Sequence, residues 1–185
     1  MTSEGNITAD DIINFWFKEI TPKQWWIKDN DFDNQIKNRF KDLYTRAAAS
    51  ELVRWRSTPL SSLAEIIVLD QFPRNMFRDT PAAFTTDPLA VCLTQVAIDK
   101  GFDQQLDSSK KSFMYMPLMH SESPEVHKLA ENVFSAPGLE NNYDFELKHK
   151  AIIDRFGRYP HRNEVLGRPS TKAEIDFLKE PNSSF

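Results

Sequence analysis

The sequence reads as an all-α protein, seven to eight helices in one compact domain. Apolar residues recur at helical spacing in successive segments, each bounded by a capping residue or a proline. No stretch alternates with the period of two that a half-buried strand requires. Glycine is scarce, with five residues, which argues against the tight turns of an all-β fold and against glycine-rich nucleotide loops. The 185 residues are expected to form a single domain, 1–185, with a core fed by fourteen phenylalanines and four tryptophans.

Taken in order, Thr8 is the N-cap of a first helix with Ile12, Ile13, Trp16, Phe17 and Ile20 at helical spacing, stopped by Pro22. Trp25 and Trp26 follow in a short linker and are expected to fold back onto the core. A second helix runs from about Asp31 to Glu51, with Phe32, Ile36, Phe40, Leu43 and Ala47 on one face. Ser57, Thr58 and Pro59 break the pattern, and Ser61 or Ser62 is read as the cap of a third helix. On it Leu63, Ile66, Ile67, Asp70 and Arg74 share a stripe, and Pro73 is expected to bend or end it. Asp87 and Pro88 read as N-cap and first residue of a fourth helix ending at Gly101, with Leu89, Cys92, Leu93 and Val96 inward. Cys92 is thus read as an inert core thiol.

A fifth helix is expected from about Ser109 to Met119. Ser123 and Pro124 open a sixth, with Val126, Leu129, Ala130 and Val133 inward and His127 on an exposed flank. A seventh spans Asn142 to Phe156, with Phe145, His149, Ile152 and Phe156 on one stripe. Thr171 with Glu174 forms a capping box for a short last helix, and 180–185 reads as a frayed tail. No internal repeat is seen, although the helix pairs are about the size of helix-hairpin repeats.

The net charge is −4 and the pI about 5.6, without the basic excess of a nucleic-acid binder. The charge is uneven. Residues 148–168 hold six cations against two acids, a local +4 that leaves −8 elsewhere. A cationic patch on an acidic protein suits a small anion or an acidic partner better than a long polyanion. One cysteine fits a reducing cytoplasm, the polar N-terminus is unlike a secretory signal, and no apolar run approaches membrane-spanning length.

Three polar clusters interrupt the apolar pattern. In DQFPRN, Asp70 lies in the middle of an apolar stripe, where an unpaired charge is very costly. Asp70 and Arg74 either neutralise each other or serve a ligand, with Arg74 forking onto a carboxylate or phosphate. Asn75 adjoins them. In HSESP, His120 and Glu122 precede a helix N-terminus, a place that attracts anions. They are also metal-ligand types, but no HExxH or CxxC spacing accompanies them, and no metal or other cofactor is assigned. In RFGRYPHRNEVLGR, Arg155, Arg158, His161, Arg162 and Asn163 stand among aromatic and proline residues, which predicts ordered, partly buried guanidinium groups in need of anionic partners. His149, between apolar neighbours, reads as a satisfied core group.

The stretches VLDQFPRNMFRDTPAAFTTDPLA, FMYMPLMHSES and HKAIIDRFGRYPHRNEVLGRPSTKAEIDFL carry a resemblance to a bacterial family known as domain of unknown function 924. They cover most of the chain in the family's order. The family usually has phenylalanine where this chain has Tyr159. The resemblance implies an all-α domain similar to tetratricopeptide-type helical proteins, and it implies no reaction.

These readings converge on a cytoplasmic helical protein whose Asp70, Arg74, Asn75, Glu122, Arg155, Arg158, Arg162 and Asn163 line a pocket for a small anion. His120 and His161 are the acid/base candidates if it is an enzyme. His120, Arg158 and His161 are then expected to converge in space. The rival reading is a helical-repeat module that binds a protein partner, its arginine–acid clusters serving only as a structural network. Neither reading involves nucleic acid or a membrane.

Overall fold

A computed structural model describes residues 7–181 and 183–185. Residues 1–6 of the polar N-terminus and Asn182 of the tail lie outside that description. The described residues form eight α-helices and no strand: α1 (Ala9–Asn14), α2 (Asn30–Ala48), α3 (Pro59–Met76), α4 (Asp87–Asp99), α5 (Ser108–His120), α6 (Pro124–Phe134), α7 (Glu140–Phe156) and α8 (Lys172–Phe177). A π-helical stretch, Phe15–Glu19, continues α1, and short 3-10 turns fill several connections. No helix among the described residues is long and apolar enough to cross a membrane.

The centre of the molecule is α3. Every residue from 62 to 73 is buried, because the helix packs against α1, α2, α4 and α5 together. A helix surrounded on every side is buried whatever its pattern, and Glu65, Asp70 and Gln71 are carried inward with its apolar residues. The predicted stripe is therefore only part of its inward surface, since Ala64, Val68, Leu69 and Phe72 are buried as well. Phe15, Trp16, Phe40, Phe72 and Phe113 interlock at the N-terminal side of this core, with ring centroids 4.9–6.1 Å apart in the pairs Phe15–Phe40, Phe40–Phe72, Phe15–Phe72, Trp16–Phe72 and Trp16–Phe113. Trp25 folds back as expected and donates from Nε1 to the Trp16 carbonyl at 3.0 Å. Trp26 stacks on Phe113 from outside, with centroids 6.1 Å apart, and stays 64% exposed.

Pro73 sits inside α3 without ending it. The missing N–H would leave the Leu69 carbonyl, four residues back, without a partner. The Thr86 hydroxyl donates to that carbonyl at 2.6 Å. Pro117 inside α5 has a related neighbour: Thr94 donates to the Met114 carbonyl at 2.9 Å. Both threonines lie on or beside α4, so α4 stitches together the two proline-bearing helices.

The sequence misplaces several boundaries and faces. Thr58, not Ser61 or Ser62, caps α3, with Pro59 as the first helical residue. Asp87 lies within α4 rather than capping it. The inward face of α4 is Ala90, Val91, Leu93, Thr94 and Ala97. Cys92 and Val96 are exposed, so Cys92 is not a core thiol. Phe145 is 49% exposed and stands outside the α7 stripe, with Lys148 Nζ over its ring. Tail residue Phe185 stacks on His149 with centroids 3.8 Å apart.

Candidate functional site

The polar residues gather where three chain segments end against one another. Asp70 and Arg74 come from the last turns of α3, His120 from the end of α5, and Arg162 from the turn after α7. That turn is set locally. Gly157 closes α7 in the left-handed conformation (φ +70°) and donates to the Ile153 carbonyl. Tyr159 then enters the core, fully buried, and donates its hydroxyl to the Met119 carbonyl at 2.6 Å. Pro160 opens the 3-10 turn that carries His161 and Arg162.

Asp70 is fully buried, yet three side chains address it. Gln71 Nε2 donates to Oδ2 at 2.5 Å, His120 Nδ1 lies 2.8 Å from Oδ1, Arg74 Nη1 lies 3.2 Å from Oδ1, and the same Nη1 donates to the Asp70 carbonyl at 2.5 Å. Burial opposes the charge, but the Arg74 charge and the hydrogen bonds from His120 and Gln71 outweigh it and hold the carboxyl well below the usual carboxylate range. An ionised carboxylate only accepts, so His120 Nδ1 carries the hydrogen and Nε2 keeps a lone pair. Burial, then Arg74, push the His120 pKa down, which keeps the ring neutral. The His120 side chain is 19% exposed. An acid that orients a neutral, reachable imidazole is the arrangement of a general base.

Asp87, from the first turn of α4, faces both arginines. Arg74 forks onto it at 2.9 and 3.0 Å. Arg162 reaches its Oδ2 only at 3.5 Å and donates from Nη2 to the His120 carbonyl at 3.0 Å. The Arg162 guanidinium lies 4.6 Å from the ring centroids of both Phe84 and Tyr159. It is 7% exposed, and its Nε has no hydrogen-bond partner. Burial first, and the neighbouring Arg74 charge second, lower its pKa against the pull of Asp87. A lowered arginine pKa marks a charge that its surroundings do not fully neutralise.

The four histidines of the chain collect around this point. The rings of His127, His149 and His161 lie 6.4, 5.8 and 5.5 Å from that of Tyr159, and the His120 backbone is held by Arg162. Nδ1 of His161 is buried without a partner, and burial followed by Arg162 lowers its pKa to about 4. His149 is buried as expected; its Nδ1 meets the Phe145 carbonyl at 2.7 Å, and burial lowers its pKa to about 3. His127 is not on an exposed flank. It shares a stripe with Ala130 and Phe134, at the i, i+3, i+7 spacing of an inward face, and is fully buried. Its Nε2 donates to the Ser121 carbonyl at 2.8 Å, and its Nδ1 shares a 2.6 Å contact with buried Glu146, whose pKa burial raises.

Other predicted residues go elsewhere. Asn75 donates to Asp33 of α2 at 2.8 Å, beside the fork of Arg78 on the same carboxylate. Arg155 is exposed and lies over Phe156 and Phe177. Arg158 forks onto Glu174 at 2.7 and 2.9 Å and donates to the Pro169 carbonyl. Glu122 receives the Arg168 fork at 2.6 and 2.9 Å and the Tyr159 N–H at 2.8 Å. Asn163 is buried between Arg168 and Ser170. The structure thus joins Asp70, Arg74, His120 and Arg162, with His161 alongside, while Arg158 turns to α8. Sequence reasoning missed Asp87, Phe84 and the closing roles of Arg168 and Glu174. The signal for Asp87 was a second acid in the block DTPAAFTTDPLA, obscured by its reading as a helix cap.

Among the described residues, no three His, Cys, Asp or Glu side chains are grouped so as to hold a metal ion. No curated protein matches the chain. A solved structure of a protein of unknown function, ATU0120 from Agrobacterium tumefaciens, is similar at 39% identity over 92% of this chain and 96% of that one, with a TM-score of 0.88. The model of a family of bacterial proteins of unknown function, DUF924, matches residues 12–182, and the chain belongs to that family.

Proposed function

We propose that the Arg74–Arg162–His120 cluster binds a small anionic molecule in a cytoplasmic protein, with His120 as the acid/base group if chemistry follows. One observation carries this reading. Arg162 is buried with an unpartnered Nε, and the carboxylate that it reaches, Asp87, is already engaged by the fork of Arg74. A desolvated guanidinium in that state gains from an external anion, through a charge-assisted bond that water does not supply. The neutral His120 held by Asp70 supplies the base beside it.

The test is thermal melting with phosphate and small carboxylates, on wild type and Arg162→Lys. Lysine keeps the charge and loses the planar donor edge. At ten times Kd the stabilisation is about 1.4 kcal/mol, about 3–5 °C for a domain of this size. The wild type gains this shift and Arg162→Lys loses most of it. No shift with any of these anions at millimolar concentration removes the reading.

A second reading is a protein-interaction module with stacked helical hairpins, its arginine–acid clusters being structural. The closed forks of Arg158 on Glu174 and Arg168 on Glu122 favour it. So does an open groove of about 400 Å³ lined by Thr58, Pro59, Leu60, Gln105, Leu106 and Lys110, far in sequence from the arginine-rich turn.

A further inference from the structure

The arrangement around Asp87 goes one step past anion binding in general. Three guanidinium nitrogens, Nη1 and Nη2 of Arg74 and Nη1 of Arg162, converge on the two oxygens of one carboxylate at 2.9, 3.0 and 3.5 Å. Phe84 lies beside both guanidinium groups, 5.7 Å from that of Arg74 and 4.6 Å from that of Arg162. A second arginine–acid fork of the molecule, Arg78 on Asp33, has one guanidinium group and an asparagine, with neither a second arginine nor an aromatic cover. The Asp87 side chain is largely shielded from solvent.

We propose that the Arg74–Arg162 clamp is a carboxylate site in which Asp87 is the resident, intramolecular occupant, and that a carboxylate ligand enters by taking its place. The inference rests on the anion reading and names its ligand class. A planar two-oxygen group matches the fork of Arg74, as in arginine–carboxylate recognition elsewhere. The donors aimed at Asp87 are all met by two oxygens. Asp87 is tethered to the site, so it competes at the millimolar or higher effective concentration of a linked group. The wild-type affinity for a free carboxylate is correspondingly held down, and a ligand with a second point of attachment, such as a contact to His120, gains most from the exchange.

The experiment removes the resident group and asks whether a free carboxylate replaces it. Asp87→Ala vacates the site; Asp87→Asn keeps the shape, removes the charge and serves where the alanine variant does not fold. Melting temperature and calorimetric titration with formate, acetate and phosphate are read on both variants, on wild type and on Asp33→Ala, which breaks the single-arginine fork. The proposal expects formate or acetate to bind the Asp87 variants at least about tenfold more tightly than wild type, a difference of about 1.4 kcal/mol. It expects no such gain for Asp33→Ala, and a smaller gain for phosphate. Binding by wild type with no gain on removing Asp87 overturns the exchange but leaves the anion reading standing. Binding by the Asp87 variants alone overturns the exchange and the anion reading together, because the wild-type cluster is then closed to a free carboxylate. An equal gain in Asp33→Ala, or a larger gain for phosphate than for carboxylates, overturns the proposal.

Discussion

Arg158 and Arg162 are four residues apart and meet opposite fates. Arg158 finds one carboxylate of its own, Glu174, with both oxygens in its fork and the Pro169 carbonyl as a third acceptor. Arg168 does the same with Glu122. Together these forks tie the segment after α7 to α8 and to the start of α6. Arg162, deeper, shares Asp87 with Arg74 and leaves Nε unpartnered. The lesson is one of stoichiometry and depth: an arginine with a private carboxylate is a strut, whereas two arginines that share one carboxylate leave the deeper of them, Arg162, with a donor over.

The largest effect that sharpens this contrast comes from the inner cluster. Asp70→Ala removes one of the two carboxylates that face Arg74, and the acceptor of His120. Breaking a buried pair in this way costs about 3–5 kcal/mol, to be read by denaturant unfolding. A cost near zero would mean that Arg74 is already satisfied by Asp87 and that the inner cluster resembles the outer one.

Acidification acts on the inner side next. His149 and His161 have folded pKa values of about 3 and about 4, below the ordinary value of 6.5. The unfolded chain therefore binds more protons between those values, and stability rises with pH across that window. It is fully present above about pH 6.5 and falls as the pH drops towards 4 and then 3. For His149 the total is on the order of 3–5 kcal/mol. Melting temperature measured from pH 7 to 4 should drop steeply, and His149→Gln should flatten the slope. A flat wild-type profile would contradict the dry surroundings described for these rings.

Arg158→Lys probes the outer region. It loses the fork on Glu174, and the expected result is faster amide exchange across 172–177 with anion binding unchanged. Loss of anion binding in this variant would merge the two regions. The smallest change is Tyr159→Phe, which leaves the buried Met119 carbonyl without its donor and costs about 1 kcal/mol. A cost of that size is measurable by equilibrium denaturation, and its absence would contradict the closed, water-free setting described for the Tyr159 hydroxyl.

The helices were largely legible because periodicity, Thr8, the Thr171–Glu174 box and Gly101 after α4 each act over a few residues. Faces were less so. A centrally placed helix such as α3 buries every side, and no stripe announces that. His127 was misread because a buried acid on another helix, Glu146, makes it tolerable inside, a pairing 19 residues away in sequence. The site was legible as a list of residue types and not as a set of pairs. Nothing local distinguishes Arg158, which meets Glu174, from Arg162, which meets an aspartate 75 residues earlier. Pro73 was expected to bend or end α3; that the helix runs on to Met76 was not legible, because the remedy, Thr86, lies outside that helix.

The most direct test follows the Arg162 Nε–H itself. In proton–nitrogen spectra of the arginine side chains, with the signal assigned by its loss in Arg162→Lys, formate, acetate and phosphate are titrated to millimolar concentration. The account predicts a saturable shift of the Arg162 Nε–H signal, while the Arg158 signal stays where its fork on Glu174 holds it. An Arg162 signal that does not move with any of the three anions would contradict it.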